Sequence, residues 1–243
     1  MKLIAIDAGN TRIKWGVHDG AIWIARGALP TSEAASLSEV SAGWPGAARI
    51  VACNVAGQVV EDVIGTALGT RFPAPLWLRS SAGICGVRNA YDQPGSLGAD
   101  RWAALIGARG LSSTDCLVVG AGTATTVDWL DASGVFRGGL ILPGIDLMRA
   151  SLARDTAQLP LAEGKFSTTP RSTVDAIASG CLHAQIGAIE RMFSELPASP
   201  ETICLLTGGA AHRIAPHLLI PFKLTENLVL DGLIRFAVMH PSN

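Results

Sequence analysis

Val118–Leu130, VVGAGTATTVDWL, reads as a strand, a tight glycine turn and a second strand. A sister stretch lies near the start of the chain: Ala5–Val17, AIDAGNTRIKWGV. Aligning Ile6 with Val119 places Ala8 and Gly9 over Ala121 and Gly122. Each stretch leads into a further turn, HDG or DASG, and then a third strand, Ile22–Arg26 or Val135–Leu142. A two-residue match says little, but recurrence of the whole strand-turn-strand-turn-strand order points to duplication. The expected architecture is two similar α/β halves, 1–112 and 113–243, each opening on a three-stranded antiparallel meander. The two turns differ in one respect. The first carries a carboxylate, Asp7, where the second has Gly120.

The remaining chain fits this frame. ARIVACNV (48–55) is an apolar run of buried-strand length, followed by a helix over Val59–Leu68 and a strand in APLWLRS. A helix over Glu33–Val40 is expected after Thr31 or Ser32 as cap. GICGVRNAYDQPGSLGADR (83–101) reads as loop, and the helix opening at Asp100 should bury Trp102, Leu105 and Ile106 and stop at Gly110. LPLAEGKFSTTPRS (159–172) is a linker or flap. After it, Ser172 to about Leu196 has a 3.6-residue apolar stripe. A strand in TICLLTGG, a short helix, a strand near NLVLDG and a terminal helix complete the reading.

With 49% hydrophobic and 16% charged residues, the 243-residue chain can bury a substantial core. Its net charge of −1, without a basic stripe, gives no electrostatic case for nucleic acid or an anionic membrane. No apolar run approaches the roughly 18 residues of a membrane span, and MKLIAIDAGNTR reads as a first strand rather than a leader. The five cysteines lack metal-ligand spacing and sit in apolar runs, as reduced thiols of a cytoplasmic protein would. The absence of a G-x-S-x-G elbow argues against a serine hydrolase.

Glycine in a tight strand-strand turn lets backbone N–H groups approach an anion with no Cβ in the way. Gly9 and Gly122 supply that approach, Thr11 and Thr123 add hydroxyls, and Asn10 adds an amide. Two such turns facing each other across a cleft could hold a polyphosphate; as plain hairpins they would hold nothing. Asp7 repels phosphate, so beside phosphate it implies an intervening cation such as Mg²⁺. Lys14 lies on one strand face with Arg12 and Gly16, where phosphate contact and simple solvation are both open. In TGGAA (207–211), Gly208 and Gly209 form a strand-to-helix turn against which a flat ligand could lie.

DAGNT, GAGTATTVD and TGGAA, in this order, resemble the nucleotide site of the acetate and sugar kinase/Hsp70/actin superfamily. More narrowly, DAGNTRIKWG, YDQPGSLGADRWAAL, GTATTVD, GGLILPG and NLVLDGL are similar to type III pantothenate kinases, from Leu3 to about Ala237. The resemblance implies two ribonuclease-H-like (actin-like ATPase) domains with mixed sheets and a nucleotide cleft between them. It also implies ATP-dependent phosphorylation of pantothenate to 4'-phosphopantothenate, the first step of coenzyme A biosynthesis, by a cytoplasmic homodimer.

Phosphoryl transfer to an alcohol calls for a carboxylate to take the hydroxyl proton. Asp100 opens a helix after the PGSLGA loop, where the helix dipole favours a carboxylate; helix capping alone would explain it too. By the resemblance, Asp100 is the base and Arg101 holds acidic oxygens. Tyr91, Gly98, Ala99 and Thr173 then match substrate-binding positions, the threonine reaching across the dimer. Departing from the family pattern, Gly120 stands where an acid of the second turn is usual. A monovalent cation (K⁺ or NH₄⁺), which activates some members, loses a ligand there, while Mg²⁺ keeps Asp7. Asp128 is read as a hairpin residue holding a turn. Two other readings stay open: an impaired family member acting as a regulatory or accessory binding protein, and a kinase for another small alcohol.

Overall fold

A computed structural model describes residues 2–46 and 49–240. The chain folds as two compact units. The first comprises the described residues of Met1–Ser113, Gly134–Phe136 and Asn227–Asn243; the second, Thr114–Ser133 and Arg137–Glu226.

Alternating apolar residues build the first sheet. β1 (Leu3–Ala8), β2 (Arg12–His18) and β3 (Trp23–Pro30) form an antiparallel meander, and β4 (Arg49–Asn54) and β5 (Leu76–Trp77) extend it in parallel. The strand order is β3-β2-β1-β4-β5. β1 is buried on both faces. Ile4, Ile6 and Ala8 join Ile13, Val17 and Ile50 in a core that includes α1 (Leu37–Val40) and α2 (Gln58–Leu68). Asp7, two residues beyond Ala5, belongs to the opposite face.

Three expectations within residues 31–111 need correction. Helix 33–40 is a 3₁₀ turn, Thr31–Ser36, running into the short α1. The 83–101 loop contains a hairpin, β6 (Gly83–Ile84) and β7 (Val87–Asn89), whose turn residues Cys85 and Gly86 both have positive φ, 54° and 77°. α3 (Ala99–Leu111) runs through Gly110, against which Arg235 packs. Ala48, first in the ARIVACNV run, lies outside the described residues.

In the second unit, β8 (Cys116–Ala121) pairs antiparallel with β9 (Ala124–Leu130) and parallel with β11 (Ile203–Thr207), which pairs parallel with β12 (Phe222–Leu224). With β10 (Val135–Pro143) beside β9, the order β10-β9-β8-β11-β12 repeats that of the first sheet. Each sheet is mixed and follows the ribonuclease-H-like pattern. Leu117, Val119 and Ala121 pack against Ile177, Cys181, Ile186 and Ile189 of α5 (Thr173–Phe193). α4 (Ile145–Asp155) and α6 (Ala211–Ile214) complete the unit. Asp128 is not at a turn: it is buried in mid-strand opposite Val118.

The strand expected near NLVLDG is the first part of α7 (Leu228–Met239). An apolar run such as Leu228–Leu230 has no period to separate strand from helix. Packing decides it: a Cβ on Gly232 would lie 1.8 Å from the Ala103 carbonyl oxygen, so α7 and α3 meet backbone to backbone.

Candidate active site

The first turn joins β1 to β2. Its closing hydrogen bond runs from Gly9 N–H to the Arg12 carbonyl (3.1 Å), while Asn10 and Thr11 stand exposed at the tip. Thr31 braces it from outside: its hydroxyl donates to the Gly9 carbonyl (2.7 Å), and its N–H to the Thr11 carbonyl (3.0 Å). Nothing in the Thr31 sequence context signals this role. Asp7, the register partner of Lys14 on β2 and Cys53 on β4, shares their sheet face. The Cys53 thiol donates to Asp7 Oδ1 (3.6 Å). Burial, with the Asp100 charge adding to it, pushes the Asp7 carboxyl up to about 6 against the pull of Lys14 and Cys53.

Asp100 and its neighbours occupy the first turn of α3. The Arg101 N–H donates to Asp100 Oδ1 (2.8 Å). A Cβ on Gly98 would sit 2.7 Å from that same oxygen, so glycine at 98 is what leaves the carboxylate its place. Arg101 is 6% exposed, contrary to the usual surface arginine. Its Nη1 donates to the Tyr91 hydroxyl (3.2 Å), and its guanidinium lies over the Tyr91 and Phe136 rings at 5.8 and 5.7 Å. Tyr91 in turn packs on Phe136, and Asn89 holds the intervening loop through the Tyr91 N–H and the Pro94 carbonyl. Thus Tyr91, Gly98, Ala99, Asp100 and Arg101 come together in the first unit. Phe136, the floor under Tyr91 and Arg101, was missed by sequence reasoning because only its pairing with β7 brings it there.

In the second unit the Gly122 N–H closes its turn on the Ala124 carbonyl (3.0 Å). Two distant motifs converge on this turn. From GGLILPG, Gly144 donates to the Thr123 carbonyl (2.8 Å), and a Cβ there would meet the Gly122 carbonyl at 2.2 Å. From TGGAA, Ala210 donates to the Ala121 carbonyl (3.1 Å); Gly208, at φ +104°, would place a Cβ 2.3 Å from that oxygen. Gly209 is exposed beside it. Gly120 faces away from α5, and its missing side chain would start 2.9 Å from Thr126 Oγ1. Thr173, the first residue of α5, is exposed, with Ser172 as N-cap accepting the Asp175 N–H.

The chain as a whole is similar to known proteins. A sequence model described as type III pantothenate kinase matches residues 3–195. A type III pantothenate kinase of Aromatoleum aromaticum is 58% identical over 231 residues, covering 95% of this chain and 96% of that protein. One from an Azoarcus species is 52% identical over 237 residues, with 97% and 90% covered. Among solved structures, a putative Baf family transcriptional activator from Campylobacter jejuni aligns at a TM-score of 0.65 and 19% identity, over 96% of each chain. A putative 2-dehydro-3-deoxygalactonokinase from Sinorhizobium meliloti aligns at 0.63 and 15%, over 97% of this chain and 98% of that one. At such identities these structures share the fold alone: two mixed-sheet α/β units of the actin-like fold. Full-length identity above one half carries more than fold, and the chain belongs to the type III pantothenate kinase family.

Proposed function

We propose that the chain transfers the γ-phosphoryl group of ATP to the primary hydroxyl of pantothenate, the first step toward coenzyme A, with Asp100 as the base. The observation that carries the role of Asp100 is its setting: a carboxylate in the first turn of α3, next to buried Arg101 and close enough to Asp7 for the two charges to interact. Asp100 accepts the hydroxyl proton as the oxygen attacks phosphorus. Arg101 offers a fixed cation to acidic oxygens, and Tyr91, Gly98 and Ala99 shape the pocket around pantothenate. In the first unit, the turn at Gly9–Thr11 with Lys14 is assigned to phosphate; in the second, the turn at Gly122–Thr123 with Gly208 and Gly209 is assigned to nucleotide.

Asp7 is the residue to hold Mg²⁺. Among the described residues no group of three or more His, Cys, Asp or Glu gathers as a metal cage. An oxygen site with so few protein ligands suits an ion that keeps phosphate and water in its shell, as Mg²⁺ does. Bound there, the ion would offset phosphate charge. A carboxyl held up at about 6 by burial and by Asp100 is one that a nearby cation would return to its charged form.

The same reading makes the protein a cytoplasmic homodimer. The five buried free thiols fit a reducing compartment. On the second unit, Leu140, Ile141, Leu147 and Leu161 are 40 to 68% exposed. The outer side of α5 presents Ala176, Gly180, Ala184 and Gly187, small residues against which a second helix can pack closely. Thr173 begins that helix and is assigned to pantothenate from the partner side.

The test is turnover of pantothenate by purified protein with ATP and Mg²⁺, with and without K⁺ or NH₄⁺. Asp100→Asn should lower kcat roughly a hundredfold or more at nearly unchanged nucleotide affinity. Absence of turnover in every cation condition rejects the kinase reading, and full activity in Asp100→Asn rejects the base.

A further inference from the structure

Residues 156–172, between α4 and α5, contain no helix or strand. A connection of that length needs anchors of its own. It finds them along the first turns of α5. Lys165 N–H donates to Asp175 Oδ1 (2.8 Å) and Ser167 N–H to the buried Ser179 hydroxyl (3.0 Å). The Phe166 ring lies against His217 and His183, with centroids 4.1 and 5.2 Å away. Gly164 is pressed so close that a Cβ would stand 2.1 Å from the Val174 carbonyl oxygen.

Asp175 joins this segment to the start of the helix. Ser172 is the N-cap, and its hydroxyl accepts the Asp175 N–H (3.2 Å). In the usual capping box, an acidic side chain at this third helical position returns to the N–H of the cap residue. Here the carboxylate divides its oxygens differently. Oδ2 accepts the Ser172 hydroxyl (2.7 Å), and Oδ1 accepts the Lys165 N–H from the segment. The helix itself has no use for the second bond: α5 has 21 residues, a cap and a buried apolar stripe. What the bond does is tie residue 165 to the turn that contains Thr173.

We propose that Asp175 is a positioning residue for the pantothenate site: it clamps residues 164–167 onto the first turn of α5 and so fixes where Thr173 stands. The proposal rests on Thr173 meeting pantothenate, as assigned above. What the clamp needs is an acceptor for the Lys165 N–H, not a charge, so an amide can replace the carboxylate.

The experiment compares Asp175→Ala, Asp175→Asn and Thr173→Ala in the full-length protein, by steady-state kinetics and by the rate of tryptic cleavage after Lys165 and Arg171. Asp175→Ala should raise KM for pantothenate about three- to tenfold, the range of one lost hydrogen bond, with kcat and KM for ATP nearly unchanged. It should also speed cleavage in the segment by a similar factor. Asp175→Asn should restore both. Unchanged cleavage in Asp175→Ala, or an equal rise in both KM values, overturns the clamp. Thr173→Ala separates the two ideas: it should raise KM for pantothenate without altering cleavage. An unchanged KM in Thr173→Ala refutes the substrate role of Thr173, whereas a raised KM there with a wild-type KM in Asp175→Ala refutes the clamp alone.

Discussion

The two turns that open the sheets share one strand order and are held in different ways. In the first, Asp7 faces Lys14 across the antiparallel pair and Cys53 across the parallel one. In the second, the same register places Gly120 between Thr126 and Thr207. From Ala8 to its partner Ile13 the first turn spans four residues, 9–12; from Ala121 to Thr125 the second spans three, 122–124. The first is braced by a side chain, Thr31, and carries a charge buried at a cost. The second is braced by backbone N–H groups of Gly144 and Ala210, and has Gly120 at the position of the charge. The same strand order occurs twice, and the carboxylate at the end of the first strand occurs only in the first copy. That copy should lose function when neutralised; the other should lose structure when crowded.

The largest effect belongs to Asp7. Its pKa of about 6 lies above the ordinary 3.8, so the folded protein keeps a proton that the unfolded chain releases. The stability this gives is present below pH 4 and fades as the pH rises through about 6, above which the buried charge is a standing cost on the order of 3 kcal/mol. Asp7→Asn should therefore cut kcat/KM by roughly a hundredfold or more, as loss of a cation ligand would. At pH 7 to 8, without metal or nucleotide, it should also raise the urea midpoint, with the gain vanishing near pH 4. A variant less stable than the parent at pH 8 would contradict the buried-charge account.

Gly208→Ala tests the other copy. It places a methyl 2.3 Å from the Ala121 carbonyl oxygen at a φ of +104°. Backbone on both sides leaves little room to yield, so the expected loss is about 3 kcal/mol or more, read as a lower urea midpoint. A midpoint within error of the parent would mean that TGGAA does not dock on the turn.

The duplicated sheets were legible because alternating apolar residues and glycine turns are local signals, given twice in one order. Other features depended on contacts that no window contains. α7 begins with Leu-Val-Leu, which fits a strand as well as a helix until Ala103 of α3 is found beneath Gly232. Cys85 takes a positive φ where asparagine or glycine is the usual turn signal, so the β6–β7 hairpin gave little warning. The burial of Arg101 has no local signal, because the rings that cover it come from Tyr91 and from Phe136, far apart in the chain. In the candidate site, the helix start at Asp100 and the glycine turns were visible locally. Thr31 and Phe136 were not, since a bracing hydroxyl and a covering ring have no pattern of their own.

The smallest effect expected is also the one that bears most directly on the difference between the turns. Gly120 and Thr126 form a pair, since a Cβ at 120 would lie 2.9 Å from the threonine hydroxyl. Gly120→Asp alone should cost about 1 kcal/mol, because Thr126 must turn its hydroxyl aside. Thr126→Ala should be close to neutral in itself and should recover most of that loss in the double variant, a coupling of about 0.5 to 1 kcal/mol. If the acid is what a monovalent cation needs, activation by K⁺ or NH₄⁺ should emerge or strengthen most clearly in the double variant, where the carboxylate has room. Additive stabilities would show that Thr126 does not fill the place of the missing side chain. An unchanged cation profile in a stable double variant would show that Gly120 is not where the cation was lost, and the contrast between the turns would then concern packing alone.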